Sequence, residues 1–201
     1  YGAAVYSFAK ETVLDNVKIV NNPGAGDLIT TYGETIIKDS LISGHDGGDV
    51  IEATLNGNFI INNTIFENNI VNEYASAYVS GGSGDLIIEN SQFINNSARY
   101  GGGAIYSLAD IRVENCIFTD NSADEESGGA VYTYGGEFNN VNFTNNSASS
   151  YGGAIYFNKN ATVNQSTFTN NSANDGGAIL TRGNLTLSNS QFADNVATLG
   201  R

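Results

Sequence analysis

Residues 151–179 read YGGAIYFNKNATVNQSTFTNNSANDGGAI, and the stretch ends by restating its own beginning: Gly-Gly-Ala-Ile stands at 152–155 and again at 176–179. A chain that returns to itself at so short an interval is built of repeats, and the repeat decides the fold before any local propensity does. Aligning on phenylalanine gives Phe66, Phe93, Phe118, Phe143, Phe168 and Phe192, spaced 27, 25, 25, 25 and 24 residues apart. Ile19 and Leu41 continue the series upstream, for about eight coils of 22–27 residues.

Other positions keep step with the phenylalanine. Three residues after it come Asn69, Asn96, Asn121, Asn146, Asn171 and Asn195, with Asn22 in the first coil. Three before it come Asn16, Asn63, Asn90, Asn115, Asn140 and Asn189, with Gln165 substituting once. A stacked asparagine amide can bond its copy above and below while tolerating left-handed turn geometry, which gives both columns a physical reason. Seven and five residues ahead of the phenylalanine lie Leu86 and Ile88, Ile111 and Val113, Ala161 and Val163, Leu185 and Leu187. That period of two marks a strand with one buried face. Downstream, Ser-Ala recurs at 97–98, 122–123, 147–148 and 172–173, followed by a variable loop and then Gly-Gly-Ala-aliphatic at 102–105, 128–131, 152–155 and 176–179. Gly-Ala-Ala-Val at 2–5 and Ala-Ser-Ala-Tyr at 75–78 are degenerate copies.

Each repeat is two or three short strands, too small to bury a core alone. Stacked at about 4.8 Å per coil, like residues form columns and the strands form parallel sheets. The pattern predicts an all-β chain, a parallel β-helix, as a single solenoid over residues 1–201. No 3.6-residue periodicity supports helices, a propeller blade needs about 40 residues, and the Leu-x-x-Leu-x-Leu signature of leucine-rich repeats is missing.

Composition bounds the function. Acidic residues outnumber basic ones 21 to 8, a net charge of −13, and no Lys/Arg run occurs, so nucleic acid is not an expected partner. The single cysteine, Cys116, excludes an internal disulfide and occupies a small-residue position two before Phe118. No apolar run approaches the roughly 18 residues of a membrane span. Tyr1 falls inside a repeat, and writing 197–201 before 1–10 reproduces the pattern of 97–110, so the two termini are in phase. The expectation is a segment of a longer or tandemly repeated solenoid, or copies that stack end to end.

The pairing of Gly-Gly-Ala-[Ile/Val] with Phe-x-x-Asn resembles the repeat of chlamydial polymorphic outer-membrane proteins, and the Asn/Ser-rich style is similar to adhesin-like surface proteins of methanogenic archaea. The resemblance is good over about 93–195 and weaker over 1–80, where Leu41-Ile-Ser-Gly44 lacks both Phe and Asn. It implies a right-handed parallel β-helix on an extracellular passenger or stalk that mediates adhesion, and it supplies no catalytic residues.

Several residues are candidate sites. Tyr6, Tyr106, Tyr132 and Tyr156 fall two after alanine in the Gly-Gly-Ala copies, where period two sends them outward as a ladder able to bind sugar rings or another fibre, or to strengthen the sheet. His45, the only histidine, lies in Gly44-His45-Asp46-Gly47-Gly48-Asp49, where the columns lapse and an enzyme would show itself. Glycoside hydrolysis needs two carboxylates about 5–10 Å apart, one held protonated. Asp46 and Asp49 have no Arg or Lys beside them and no acidic residue at the aligned position of neighbouring coils. They read as a polar turn or a local Ca²⁺ contact in preference to catalysis. Asp120, Asp124, Glu125 and Glu126 lack the alternating pattern of a Ca²⁺ loop and read as a solvated bulge. Among the Asn-x-[Ser/Thr] sequons, Asn160 and Asn184, before the strand, and Asn95 and Asn170, before the buried Asn column, are the candidate glycan carriers.

The function expected is therefore a non-enzymatic extracellular or cell-surface segment: fibre, stalk or adhesin. It needs no cofactor, with Ca²⁺ the one metal the acidic loops could take. Its partners would be other copies, stacked end to end or laterally, and surface glycans or proteins of a host or neighbouring cell. The alternative is a β-helix polysaccharide-degrading enzyme or carbohydrate-binding module.

Overall fold

The computed structural model describes residues 4–54, 57–80 and 84–199, residues 77–80 by their backbone alone. The in-phase ends, Tyr1, Gly2, Gly200 and Arg201, lie outside the described residues, as do the side chains of the degenerate copy at 77–78. Every described strand pairing is parallel, and no helix occurs among the described residues. One coil shows the plan. Strand Ile105–Glu114 bends at a corner, Ile117–Thr119 follows, then Ser122–Ala123, and a loop leads to the Gly128-Gly129 turn that starts the next coil. Elsewhere the long strand is split at the corner, as in Ile155–Phe157 and Ala161–Asn164. Stacking the coils gives a 14-stranded sheet, an eight-stranded sheet carrying the phenylalanines, and a seven-stranded sheet carrying Ser-Ala, about seven turns of solenoid in all.

The phenylalanines are in register from Phe66 to Phe192. Successive ring centroids are 5.0, 4.9, 4.9, 4.9 and 4.7 Å apart with planes within 10°. Strand spacing imposes this distance, and the rings lie in stacked contact because the backbone already holds them there. Leu86, Ile88, Ile111, Val113 and Val163 close the same core from the facing sheet.

Upstream, the register corrects one position. Ile42, and not Leu41, pairs with Ile19 on one side and Phe66 on the other. Ile42 is fully buried and Leu41 half-exposed, as strand alternation requires. With the column moved by one residue, Asp39 falls three before it and His45 three after, so a coil that looks degenerate obeys the rule.

The two asparagine columns divide the duties assigned to them jointly from sequence. The buried one is a ladder: the Nδ2 of Asn69, Asn96, Asn121, Asn146 and Asn171 donates to the Oδ1 of the next at 2.9–3.0 Å. Each also donates Nδ2 to a main-chain carbonyl of the preceding coil, as Asn121 does to Phe93 at 3.0 Å. Left-handed geometry lies elsewhere. It falls on the column three before the phenylalanine, Asn16 to Asn189, and on the residue just before each ladder asparagine, such as Asn68, Asn95, Asp120 and Asn170. Asn, Asp and Gly tolerate positive φ at a tight corner; the ladder residue itself is extended enough to reach inward.

A third column, legible in sequence as a small-residue position, proves to be a hydrogen-bonding one. Ser40, Thr64, Ser91, Ser166 and Ser190 occupy the position two before the core residue. The serine hydroxyls accept main-chain N–H groups from the preceding coil, Thr64 N to Ser91 Oγ at 3.2 Å and Val141 N to Ser166 Oγ at 3.1 Å among them, while the Thr64 hydroxyl donates to the Asn62 carbonyl at 2.9 Å. Cys116 stands in this column, its Sγ 3.1 Å from the Glu114 carbonyl, and burial pushes its thiol up to about 12.

Candidate functional site

The first strand of each coil has an outward position, and register places Tyr6, Thr30, Glu52, Tyr78, Tyr106, Tyr132, Tyr156 and Leu180 along it in that order. The column has two chemically different parts. In the later coils Tyr106 and Tyr132 stack at 4.6 Å, and Tyr132 and Tyr156 at 4.9 Å. This stack is not an open aromatic surface. Tyr74 packs on Tyr106 at 4.8 Å, Tyr151 lies 6.4 Å from Tyr156, and the Arg182 guanidinium sits 5.7 Å over the Tyr156 ring. Tyr156 is consequently buried, and desolvation raises the phenol pKa of both Tyr132 and Tyr156.

Tyr6 shares the column but stands apart from the stack, because Thr30 and Glu52 intervene. It packs instead with Phe8 at 5.0 Å and Tyr32 at 6.0 Å, while Phe8 and Tyr32 stack at 4.8 Å. Phe8 is 73% exposed, Tyr6 39% and Tyr32 36%, so this trio is the open aromatic patch of the face. The hydroxyls of Tyr6 and Tyr32 lie 3.3 Å apart, and that hydrogen bond is the chief reason the Tyr6 pKa is raised. Phe8 and Tyr32 escaped the sequence reading because neither sits in a repeated motif. The signal was alternation: each lies two residues beyond an outward position, Tyr6 or Thr30.

The lapse at 44–49 resolves differently from expectation. His45 occupies the ladder position: its main-chain N–H donates to Asn69 Oδ1 at 3.1 Å, as the ladder asparagines do. The ring is buried, with Nδ1 2.6 Å from the Asn22 carbonyl and Nε2 3.1 Å from the Gly48 carbonyl. Both nitrogens face acceptors, so only the doubly protonated ring donates to both. A side chain so engaged is closed to a substrate.

Asp46 and Asp49 do not converge. Asp46 is exposed on the short strand Asp46–Gly47, whereas Asp49 is 2% exposed. Asp49 also has an acidic residue at the aligned position of the coil before, contrary to the sequence reading: Ile29 pairs with Ile51, which sets Asp27 against Asp49. The two replace the second glycine of the Gly-Gly turn. A Cβ at Gly129 or Gly153 would meet main-chain oxygen at 2.1 Å, so in those coils only glycine fits. In the early coils the aspartates cap the turn instead. Asp27 Oδ1 accepts the Asp49 N–H at 3.0 Å, and Asp49 Oδ1 accepts those of Tyr74 and Ala75 at 2.8 and 3.0 Å. Burial pushes the Asp49 carboxyl up to about 7 against the pull of those two donors. Among the described residues no three His, Cys, Asp or Glu side chains gather as a metal cluster.

The remaining candidates are peripheral. In the acidic bulge, Asp120 caps Asn145 at 3.1 Å, Asp124 accepts from Ser97 at 3.2 Å, and Glu125 pairs with Arg99 at 3.0 Å in full view of solvent. Asn95, Asn160, Asn170 and Asn184 are all exposed. Asn95 and Asn170 sit in left-handed corners, while Asn160 and Asn184 line a groove of about 460 Å³ along the bend of the long strands, with Asp85, Asp110, Arg112 and Glu137.

The sequence matches the family model described as right handed beta helix region over residues 1–148 and, in an overlapping match, over 66–192. The chain belongs to the right-handed β-helix family. No curated protein matches it. Within this right-handed β-helix the groove and the aromatic patch both lie on the 14-stranded sheet.

Proposed function

We propose that this β-helix is a stiff segment of an extracellular fibre, stalk or adhesin, of the kind its resemblance to chlamydial and methanogen surface repeats implies, and that it acts without catalysis. The observation that carries the reading is continuity: the phenylalanine stack and the asparagine ladder run unbroken from Phe66 and Asn69 to Phe192 and Asn195. That is the construction of a rod, about 4 nm long at the pitch of parallel strands. Binding falls to shallow contacts repeated along such a rod and gains strength from avidity. Surface glycans or proteins of a host or neighbouring cell are its ligands, and further copies its lateral or end-to-end partners. Phe8 and Tyr32, exposed and stacked, are the residues we assign to contact with a sugar ring.

Two measurements test this. Electron microscopy at rising protein concentration is expected to show short rods that lengthen or bundle. Glycan and cell-binding assays are expected to show retention that falls when Phe8→Ala and Tyr32→Ala are introduced together, with the fold unchanged. Turnover of a pectin- or alginate-like polysaccharide, abolished by Asp46→Asn or Asp49→Asn, would overturn the reading in favour of an enzyme.

A further inference from the structure

We propose that Lys159 and Arg182, each seated over a tyrosine ring beside the groove, form a binding site for a sugar that carries a carboxylate or sulfate group. This site, which rests on the proposed function in taking a glycan as its ligand, lies in the late coils, apart from Phe8 and Tyr32. Charge is distributed unevenly along the chain. Between Phe138 and Ala193 there is one carboxylate, Asp175, against Lys159 and Arg182, so this stretch is net positive in a chain of net charge −13. The two cations are also held in an unusual way. Lys159 Nζ lies 4.6 Å from the centre of the Tyr134 ring, and the Arg182 guanidinium 5.7 Å from that of Tyr156. Neither forms an ion pair among the described residues, whereas Lys38, Arg99 and Arg112 are each matched with a carboxylate. Arg99 does stand over Tyr100, but its Nε is engaged by Glu125. Lys10 and Lys18 lack a carboxylate too, and neither is placed over a ring among the described residues.

A ring face attracts a cation without consuming its N–H donors, so those of the ammonium and the guanidinium remain for a ligand. Both side chains are exposed. Register sets their separation: Tyr132 pairs with Tyr156, so Tyr134 and Tyr156 stand one coil and two strand positions apart, about 8 Å at the strand spacings. Two positive groups over that span suit anions carried on one sugar ring or on two neighbouring ones. What lies beside the cations favours a sugar over a bare anion or an acidic peptide. Asn160 follows Lys159 directly and Asn184 stands two after Arg182, and both line the groove of about 460 Å³ along the bend. Asn160 Oδ1 accepts the Asn184 main-chain N–H at 2.9 Å, which fixes that amide in place. Side-chain amides next to cations can bond the hydroxyls that a sugar offers and a simple anion does not. The remaining surface is acidic, but at physiological ionic strength its field is screened beyond about 8 Å, and an anionic ligand at the site meets the local cations.

The test titrates the whole chain with three tetrasaccharides followed by NMR: neutral chito-oligosaccharide, unsulfated chondroitin, which supplies carboxylates alone, and chondroitin sulfate, which supplies both anions. The expected result is that one or both acidic sugars bind about tenfold or more tighter than the neutral one, with shifts at the Lys159, Asn160 and Arg182 amides and an affinity that falls as salt rises. The contrast between the two acidic sugars tells carboxylate from sulfate. Lys159→Gln together with Arg182→Gln is expected to weaken binding about tenfold or more, Arg182→Lys to keep part of it, and Lys10→Gln with Lys18→Gln to leave it unchanged, all at the parent's melting temperature. Binding of neither acidic sugar, equal binding of the neutral one, or binding that survives the Lys159 and Arg182 pair overturns the proposal. So does equal binding of a polyglutamate peptide, which would mark a site for charge alone. Self-association abolished by the same pair also overturns it, since the occupant would then be the acidic bulge of a second copy. Cell retention lost through Phe8→Ala and Tyr32→Ala, with no binding of acidic sugar, would sink this site and leave the adhesive reading standing; acidic-sugar binding by a chain that no cell retains would do the reverse.

Discussion

Asn146 Oδ1 receives two hydrogens from Asn121 of the preceding coil, one from the side-chain Nδ2 and one from the main-chain N, each at 3.0 Å. One amide oxygen thus satisfies two buried donors, and the arrangement recurs along the ladder. Asn121→Ala would leave the Asn96 N–H, the Asn96 amide, the Phe93 carbonyl and Asn146 Oδ1 short of a partner at once. The expected loss is about 3–5 kcal/mol. Asn195→Ala, at a partly exposed rung, should cost well under half as much. Urea denaturation, with hydrogen exchange at the Asn96 amide as a local readout, checks both.

Steric closure at the turns gives a second contrast. A Cβ on Gly153 would lie 2.1 Å from the Gly177 carbonyl oxygen and 2.5 Å from Ser172 N, with backbone on both sides and nothing flexible to yield. At Gly101 the nearest atom is the Ser127 oxygen at 3.1 Å. Gly153→Ala is expected to lower the melting temperature sharply or abolish folding, and Gly101→Ala to shift it by only a few degrees. Equal effects would mean that the turns do not seat against the Ser-Ala strands as described.

Asp49 makes stability depend on pH. Its carboxyl titrates at about 7 in the folded chain against 3.8 in the unfolded one, so the folded state keeps a proton that the unfolded state gives up. The resulting stabilisation is full below about pH 4, declines as pH rises, and is lost above 7. Asp49→Asn keeps an oxygen for the Tyr74 and Ala75 N–H groups and removes the charge. In chelator, the variant should exceed the parent at pH 8 by up to about 4 kcal/mol and draw level near pH 4. Melting curves that run parallel across that range would refute the assignment.

His45 offers a substitution toward the repeat. His45→Asn places the ladder's own residue between Asn22 and Asn69 and should hold stability within about 1 kcal/mol of the parent, whereas His45→Ala, which empties a buried site, should cost about 2–4 kcal/mol. Thermal melts of the two variants, side by side, decide whether the ring is structural.

Much of this was readable in advance where one residue type does one job. Phe66 to Phe192 and Asn69 to Asn195 announce themselves because a stacked column accepts few substitutes. The reading failed where the same job passes to another residue type. His45 stands in for Asn, Asp27 and Asp49 for Gly, and Ile42 for Phe, and each substitution looked like a break in the pattern until register restored it. Strand alternation makes a one-residue slip, Leu41 for Ile42, exchange inside for outside. The open aromatic patch was missed for a different reason. Phe8 and Tyr32 meet only because coils stack, and nothing in their flanking residues repeats.

The ladder also carries an arrow. Every described side-chain rung from Asn69 to Asn195 donates toward the later coil and accepts from the earlier one. Amide dipoles aligned in one sense polarise their neighbours and add, as they do along a helix. A solenoid wired this way is vectorial: its two faces are not interchangeable, and only a head-to-tail neighbour, never one turned end for end, can present the complementary half of the next rung.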